Sequence, residues 1–595
     1  MKKIIILLLL CVVLAAFPVS ASNNVQKIHS VNSDVYQAIT SLYIQSGYAL
    51  PSTAGPWSSD ELIKMLDRVD YSSLAQGGQY TYDYVLSQLY EESKLYEFGL
   101  DAALETYLHT NTTHFTKPTN WIRGFDDRKP FLDITLETWP SKHFYGFTSL
   151  SIMQTKFSDF VDNTSNAIKS KFFGEHILTT NLFFIPPGVI GDLDLGMPYR
   201  AFGSFGGDGW SVEVGRDKLS WGAGVTGNFM LSDHLKYHNQ GRFTTYGKNF
   251  KYTFATSFFP HPKDYYPTDT DEFNQDQRSQ GWVIDGLNMF IGHRVEWRMF
   301  YDKVGLALSE SIMYQSRNNL IDLRVLSPTT ILHNYYIRSN SNSLLTLEVD
   351  YSPIKYLNVY GQIAVDEMAL PGEPVPGKDD SAFPSAFGYM LGVKSSYPVN
   401  KGVVYGSFEW ALTDPFLYLR YGEDLEKQKQ GIPGINYVVA IREYLDGGRI
   451  GYDEQFLGYP FGGDAIVFNL QGGYKHFGKW SAEANLFYMM HGTYDQWTGW
   501  VEVNNKNIAD GESIPYDSTP TQTHHPENHL DDDAFLNRDA VSHTIALGIK
   551  GDYTILSTLN VYGQMDFISI IHPGNSSSRK PIYDIQLTLG VSYSL

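Results

Sequence analysis

Cysteine is nearly missing. The one present, Cys11, sits inside an apolar run at the amino terminus, so the rest of the chain has neither a disulfide framework nor a thiolate metal site. Leu10 before it is not the small residue that precedes a lipid-attachment cysteine. Positive charge is scarce as well: 45 Lys and Arg stand against 65 Asp and Glu, a formal net charge of -20. Nucleic-acid binding requires clustered cations, so no nucleic-acid partner is expected. Long apolar runs are the third absence. After the first residues no stretch of about 18 consecutive apolar residues occurs, which excludes a membrane-spanning helix.

The short apolar run has its own meaning. Lys2 and Lys3 precede Ile4 to Ala16, and Val19-Ser20-Ala21 offers small residues for cleavage. This is the pattern of a secretory leader over residues 1–21, shorter than the roughly 20 residues of a spanning helix. Losing Lys2 and Lys3 with it takes the formal charge from -20 to -22. An exported chain without spanning helices stays in water or crosses a membrane with strands. Aromatic residues are abundant, 41 Tyr, 35 Phe and 11 Trp, and spanning barrels use them as girdles at both interfaces.

Between Val25 and Leu100 the apolar spacing is helical. Val35, Ile39 and Leu42 share a face, Ser58 or Ser59 suits the N-cap ahead of Asp60 to Leu66, and Asp83 suits the cap of a helix from Tyr84 to Leu95. The turn-rich stretch Leu50 to Pro56 joins them. From about Lys117 onward the period is two. Phe250, Tyr252, Phe254, Thr256 and Phe258 alternate with Lys251, Thr253, Ala255 and Ser257. Ile291, His293, Val295, Trp297 and Met299 alternate with Gly292, Arg294, Glu296 and Arg298, and Leu345, Leu347, Val349 and Tyr351 with Thr346, Glu348 and Asp350. Such segments reach about 10 residues, enough to cross a bilayer when tilted. Unpaired backbone groups are intolerable in lipid, so the strands must close.

The expected fold is therefore mainly β: a closed antiparallel transmembrane β-barrel preceded by a small N-terminal α-helical domain. Residues 22–105 form the helical, periplasmic-side part and 106–595 the barrel, with room for roughly 16 to 18 strands. Long extracellular loops are expected near Asp264 to Gln280, Pro371 to Pro384, Gly422 to Gly434 and Trp500 to Arg538. The last segment, Ile585 to Leu595, alternates up to the carboxylate, the kind of strand that barrel-assembly machinery reads, although Leu595 replaces the usual aromatic ending. One echo recurs: Asp350-Tyr351, five residues, then Leu357-Asn358-Val359-Tyr360-Gly361-Gln362, and again Asp552-Tyr553, five residues, then Leu559-Asn560-Val561-Tyr562-Gly563-Gln564. Both copies read as hairpins under the same constraint.

Several motifs compete with plainer readings. Trp221 to Gly227 contains Gly-x-Gly-x-x-Gly but lacks the βαβ context of a dinucleotide site, so strand-bending or close-approach glycines account for it better. Gly473 to Trp480 approximates a phosphate loop, yet Trp480 stands where Ser or Thr is needed, and a hairpin turn is expected. His524, His525, His529 and Asp531 offer ligand chemistry for a divalent cation, against the plainer alternative of a solvated acidic loop. Tyr494, Asp495, Trp497 and Trp500 mix rings with polar groups suited to stacking on sugars, against the plainer reading of an interfacial girdle. Arg294, Glu296, Arg298, Glu348, Asp350 and Asp366 face inward and line or cross-link the lumen. No hydrolase signature occurs, and neither enzymatic activity nor a cofactor is expected.

Ser33-Asp34 through Gly47 and Trp57 to Leu62, then Gly215 to Gly224 with Leu231-Ser232-Asp233, His293 to Arg298, Leu306 to Glu310, Tyr360-Gly361-Gln362 and Asp366-Glu367 together resemble the capsule-assembly Wzi family, outer-membrane barrels associated with surface polysaccharide. The resemblance implies about 18 strands, a helical element at the periplasmic end and a lectin-like role. No sugar-binding residue is carried over from it. The expected function is a non-enzymatic barrel in the outer membrane of a two-membrane bacterium, in contact with outer-membrane lipid, that binds or organises surface polysaccharide. The alternative is a porin-like channel for small solutes.

Overall fold

The computed structural model describes residues 24–595 apart from 91–94, 112–113, 116–128, 155–177, 183–192, 195–199, 260–286, 317–320, 322, 328–331, 333–340, 369–380, 383–384, 420–435, 447–448, 496–502, 505–518 and 523–537. The leader and most of the expected long loops thus lie outside the described residues. What is described is a closed antiparallel barrel of 18 strands preceded by helices. Neighbours in sequence are neighbours in space, and the ring closes where Ile582–Ser594 pairs with Tyr96–His109. That first strand begins before residue 106, where the barrel was expected to start.

Three helices come first: α1 (Asp34–Ser46), α2 (Ser59–Leu66) and α3 (Gln76–Leu89). Ser33 caps α1 by accepting from the Tyr36 N–H, and Gly47 ends it with φ 72°, a left-handed turn that suits glycine. Ser58, one of the two expected caps, accepts from Glu61 N–H. Asp83 is not a cap. It lies inside α3, which starts earlier because Gly77 and Gly78 allow close packing: a Cβ at Gly77 would fall 2.5 Å from Gly402 O, and one at Gly78 would fall 2.6 Å from the Gln45 side chain. Close contact with the barrel rim and α1 offsets glycine's low helix propensity. The three helices share a core of Val35, Ile39, Leu42, Leu62, Leu66, Val85 and Leu89.

The helices sit on the end of the barrel where connections are short. Ala49 N–H donates to Asp302 O, Tyr356 N–H to Ile44 O, and Arg68 pairs with Asp302. Outer-membrane barrels generally carry their short turns on the periplasmic side, the side on which the helical part was expected. Outward-facing side chains are apolar and solvent-accessible, among them Leu104, Leu308, Leu347, Leu391, Leu470, Leu547, Ile549 and Leu589. Near the short turns the same face carries Tyr96, Phe98, Phe250, Trp297, Tyr351, Tyr397, Trp480, Tyr553 and Tyr593, a girdle at the level where amphipathic rings sit in a membrane.

The hairpin echo has a structural cause. Tyr360 lies directly opposite Gly392, which lies opposite Glu409, three strands in one row. Tyr562, Gly590 and Glu105 form the same row. In each, the inward tyrosine covers the glycine of the next strand and its hydroxyl donates to the glutamate beyond. A Cβ at Gly392 or Gly590 would fall 2.2 Å from the ring, so only glycine fits. Tyr405, Gly473 and Glu483 repeat the row, with the hydroxyl 2.5 Å from the carboxylate. Gly473 to Trp480 is the end of strand Ala465–His476 and the expected hairpin turn to Trp480, with Gly478 at φ 73°.

Candidate functional site: the lumen and its outer mouth

Two segments enter the lumen from opposite ends and meet. From the helical cap, Ala54–Gly55 pairs as a short strand with Ser220–Trp221, which belongs to the long connection after strand Trp210–Asp217. Gly222 N–H also donates to Thr53 O. Around this junction an apolar core fills the lumen inside the strands between Phe250 and His476. Leu50 and Ala54 come from the cap segment, and Trp221, Phe229, Met230, Leu231 and Leu235 from the connection. Tyr418, Tyr437, Leu457 and Tyr459 come from the outer connections, and all are buried with inward Phe290, Met313, Leu344 and Met390.

The wall holds this plug with charge. Arg294, 1% exposed in its side chain, donates to both Glu348 oxygens at 2.5 and 3.0 Å, to Glu296 at 3.1 Å, and to Thr53 Oγ1 at 2.7 Å. Glu296 accepts from Ser52 Oγ at 2.5 Å and Thr53 N–H at 3.2 Å. Asp350 accepts from Leu50 N–H at 2.6 Å and faces Arg298 at 3.6 Å. Lys251 bridges Glu61 at 2.6 Å and Ala54 O at 2.7 Å; burial pushes the Glu61 carboxyl up, against the pull of Lys251. Glu409 accepts from Val225 N–H, Thr226 N–H, Thr226 Oγ1 and Tyr360 Oη. Pairing and hydrogen bonding offset much of the cost of burying these charges, whereas breaking one pair leaves its partner stranded. The void left beside Thr53, Arg294, Glu348 and Tyr360 is about 20 Å³, room for about one water.

Five of the six inward residues expected from sequence, Arg294, Glu296, Arg298, Glu348 and Asp350, come together around Leu50 to Thr53. The sixth, Asp366, is nearer the outer mouth and accepts from Tyr418 N–H at 2.6 Å. Tyr494 is 1% exposed, packed edge-on against Phe416, so its ring is turned into the plug rather than to the surface. Asp495 pairs with Arg538 at 2.6 Å. Trp497, Trp500, His524, His525, His529 and Asp531 lie outside the described residues. Glu409 escaped sequence reading, as did the pairing of Lys251 with Glu61 and the filling of the lumen by the connection from Leu219 to Tyr237. The signal was there in a run of Phe229-Met230-Leu231 within a long connection, too apolar for a solvated loop.

The opposite side of the lumen differs. On strands Tyr96–His109 and Ser542–Leu556 the inward Glu97 and Asp101 are exposed, and the Lys550 side chain is 55% exposed. Farther from the short turns, inward Glu105, Tyr107, His109, Asp566 and Asp584 are all buried. On this side the inward side chains are accessible near the cap end and buried farther from it, a vestibule among the described residues.

An 18-strand ring with an apolar exterior, its lumen filled on one side by segments entering from both ends, defines a membrane-spanning β-barrel. Its fold is similar to that of Wzi of Escherichia coli, an outer-membrane protein involved in group 1 capsule assembly and a carbohydrate-binding β-barrel, with a TM-score of 0.55 and 11% identity over 95% of this chain and 98% of that one. OccK2 of Pseudomonas aeruginosa, in complex with glucuronate, gives a TM-score of 0.37 at 9% identity, covering 84% of this chain and 98% of the other. The outer-membrane channel DcaP of Acinetobacter baumannii gives 0.30 at 9%, covering 84% and 97%. No protein-family model and no curated protein matches the sequence.

Proposed function

We propose that this protein is a non-enzymatic outer-membrane barrel that holds surface polysaccharide at its long-connection end. The observation that carries this reading is the plug: a lumen filled by Trp221, Phe229, Met230 and Leu231 against Phe290 and Met313 suits a surface receptor better than a conduit. The shared fold with a carbohydrate-binding barrel supports it. In this reading the chain is exported through its leader, assembled by machinery that reads the last strand, and surrounded by lipid along its apolar belt. The helices between Asp34 and Leu89, ahead of the first strand at Tyr96, serve as the periplasmic-side domain. Polymer contact falls to the outer connections, with Asp495, Trp497 and Trp500 as candidate contacts and Tyr494 supporting them from beneath.

A porin-like channel is the second reading, favoured by the exposed inward Glu97, Asp101 and Lys550. Purified protein in planar bilayers separates the two. The polysaccharide reading expects no steady conductance, together with loss of cell-attached polysaccharide when the gene is deleted. A large, steady conductance with unchanged polysaccharide retention would sink it.

A further inference from the structure

The helical cap presents a tyrosine face away from the barrel. On α3, Gly77, Gly78, Thr81, Val85 and Leu89 are buried, whereas Tyr80, Asp83, Ser87 and Tyr90 are exposed along the opposite side. Tyr71, from the turn before α3, joins them: its ring meets Tyr82 edge-on at 5.2 Å and its hydroxyl lies 3.4 Å from Asp83. Tyr71, Tyr80 and Tyr90 are 42%, 39% and 48% exposed. Asp67 and Asp70 are exposed beside them. The Tyr82 phenol is pushed above its ordinary value first by partial burial and then by Asp67, Tyr90 and Asp83, so these groups converge.

Charge narrows what such a face fits. Between Asp67 and Tyr90 the sequence has three aspartates and one cation, Arg68. Arg68 is turned back to the barrel rim, where it pairs with Asp302 and donates to Lys248 O. The remaining surface is acidic and aromatic, which repels anionic lipid headgroups and acidic polymers. It suits ammonium and guanidinium groups, which pair with carboxylates and sit over aromatic rings. At the edge of the face next to the barrel Lys401 already does so, its ammonium 5.2 Å from the Tyr80 ring centre, which leaves Tyr71, Tyr90 and the aspartates for a partner. We propose that this tyrosine and aspartate face docks a Lys/Arg-bearing segment of a periplasmic protein. The inference rests on the orientation of the barrel and not on the polysaccharide reading.

The test uses the full-length protein in detergent and a short fluorescent Lys/Arg peptide as probe, at about 0.15 M salt, where long-range charge is screened. The paired variants Tyr71→Ala/Tyr90→Ala and Asp67→Asn/Asp83→Asn should each weaken binding by about fivefold to tenfold, the size expected of two exposed cation–π or charge contacts. Tyr71→Phe/Tyr90→Phe, which keeps the rings, should bind as the parent does. Glu97→Gln/Asp101→Asn removes the same charge from the vestibule and should change binding by less than about twofold, as sites without shared partners act independently. If the vestibule pair weakens binding as much as the face variants, or if a neutral oligosaccharide rather than the peptide occupies the face, the proposal is overturned. All these side chains are exposed, and an unchanged circular-dichroism spectrum verifies that the cap stays folded.

Discussion

Arg294 makes five hydrogen bonds, to Thr53, Glu296, Ser309 and both oxygens of Glu348. Arg294→Met is expected to cost about 3 to 5 kcal/mol, because two buried carboxylates lose their counter-charge; thermal unfolding in detergent measures it. Replacing Glu348 with Gln at the same time should recover part of that loss, and no recovery would refute the ion-pair account. Two titrating groups near the plug act in opposite directions. His234 donates through Nε2 to Phe456 O at 2.9 Å, and burial holds its imidazole down at about 4. Its contribution, about 3 kcal/mol at most, is complete above its ordinary value near 6.5 and is lost as pH falls towards 4. Burial instead pushes Asp414 up from 3.8 to about 6, ahead of the smaller effect of Asp464. Folding is therefore penalised above pH 6 and relieved as pH falls towards 3.8. Unfolding temperatures at pH 7 and 4.5 should show His234→Gln losing less stability on acidification than the parent, and Asp414→Asn losing more.

At the scale of elements, alternation was legible because each strand carries its own pattern: Lys251, Thr253, Ala255 and Ser257 turn inward and Phe250, Tyr252, Phe254 and Phe258 outward, whatever the neighbours are. The helices were legible in number and place, but α3 runs from Gln76 to Leu89 rather than from Tyr84 to Leu95. Its glycine pair argues against a helix locally and finds its reason only in contact with Gly402 and Gln45. The hairpin echo was visible, but the glycine and glutamate that complete each row lie on other strands. These rows give a specific expectation. Gly392→Val should destabilise the barrel by about 1 to 3 kcal/mol through overpacking, and Tyr360→Ala in the same chain should remove most of that penalty, as a double-mutant cycle reads it. Gly361→Val, on the outward face of the same region, meets only Leu391 Cδ2 and Met390 O at 3.2 Å and should cost less. Equal costs at Gly392 and Gly361 would show that the ring does not exclude a side chain.

For the whole molecule, the open question at the level of sequence was whether anything passes through. The plug joins the cap to the outer connections through Thr53 O and Gly222 N–H, so removing one part exposes the other. Excising residues 222–232 should produce bilayer conductance in a barrel that still resists heat in detergent, while the intact chain stays silent; persistent silence would mean that the cap and the outer connections seal the lumen without that segment. By itself the sequence determined the barrel, its apolar belt, the helical cap and the inward set of Arg294, Glu296, Glu348 and Asp350. Period and composition are local, and lipid imposes one requirement on every strand. Only the tertiary structure decided that those inward charges are paired and not bathed in water. A polar residue on the inner face reads the same in either case, and its partners, Leu50 for Asp350, Thr53 for Arg294 and Thr226 for Glu409, lie far away in the chain and meet only once the ring has closed around them.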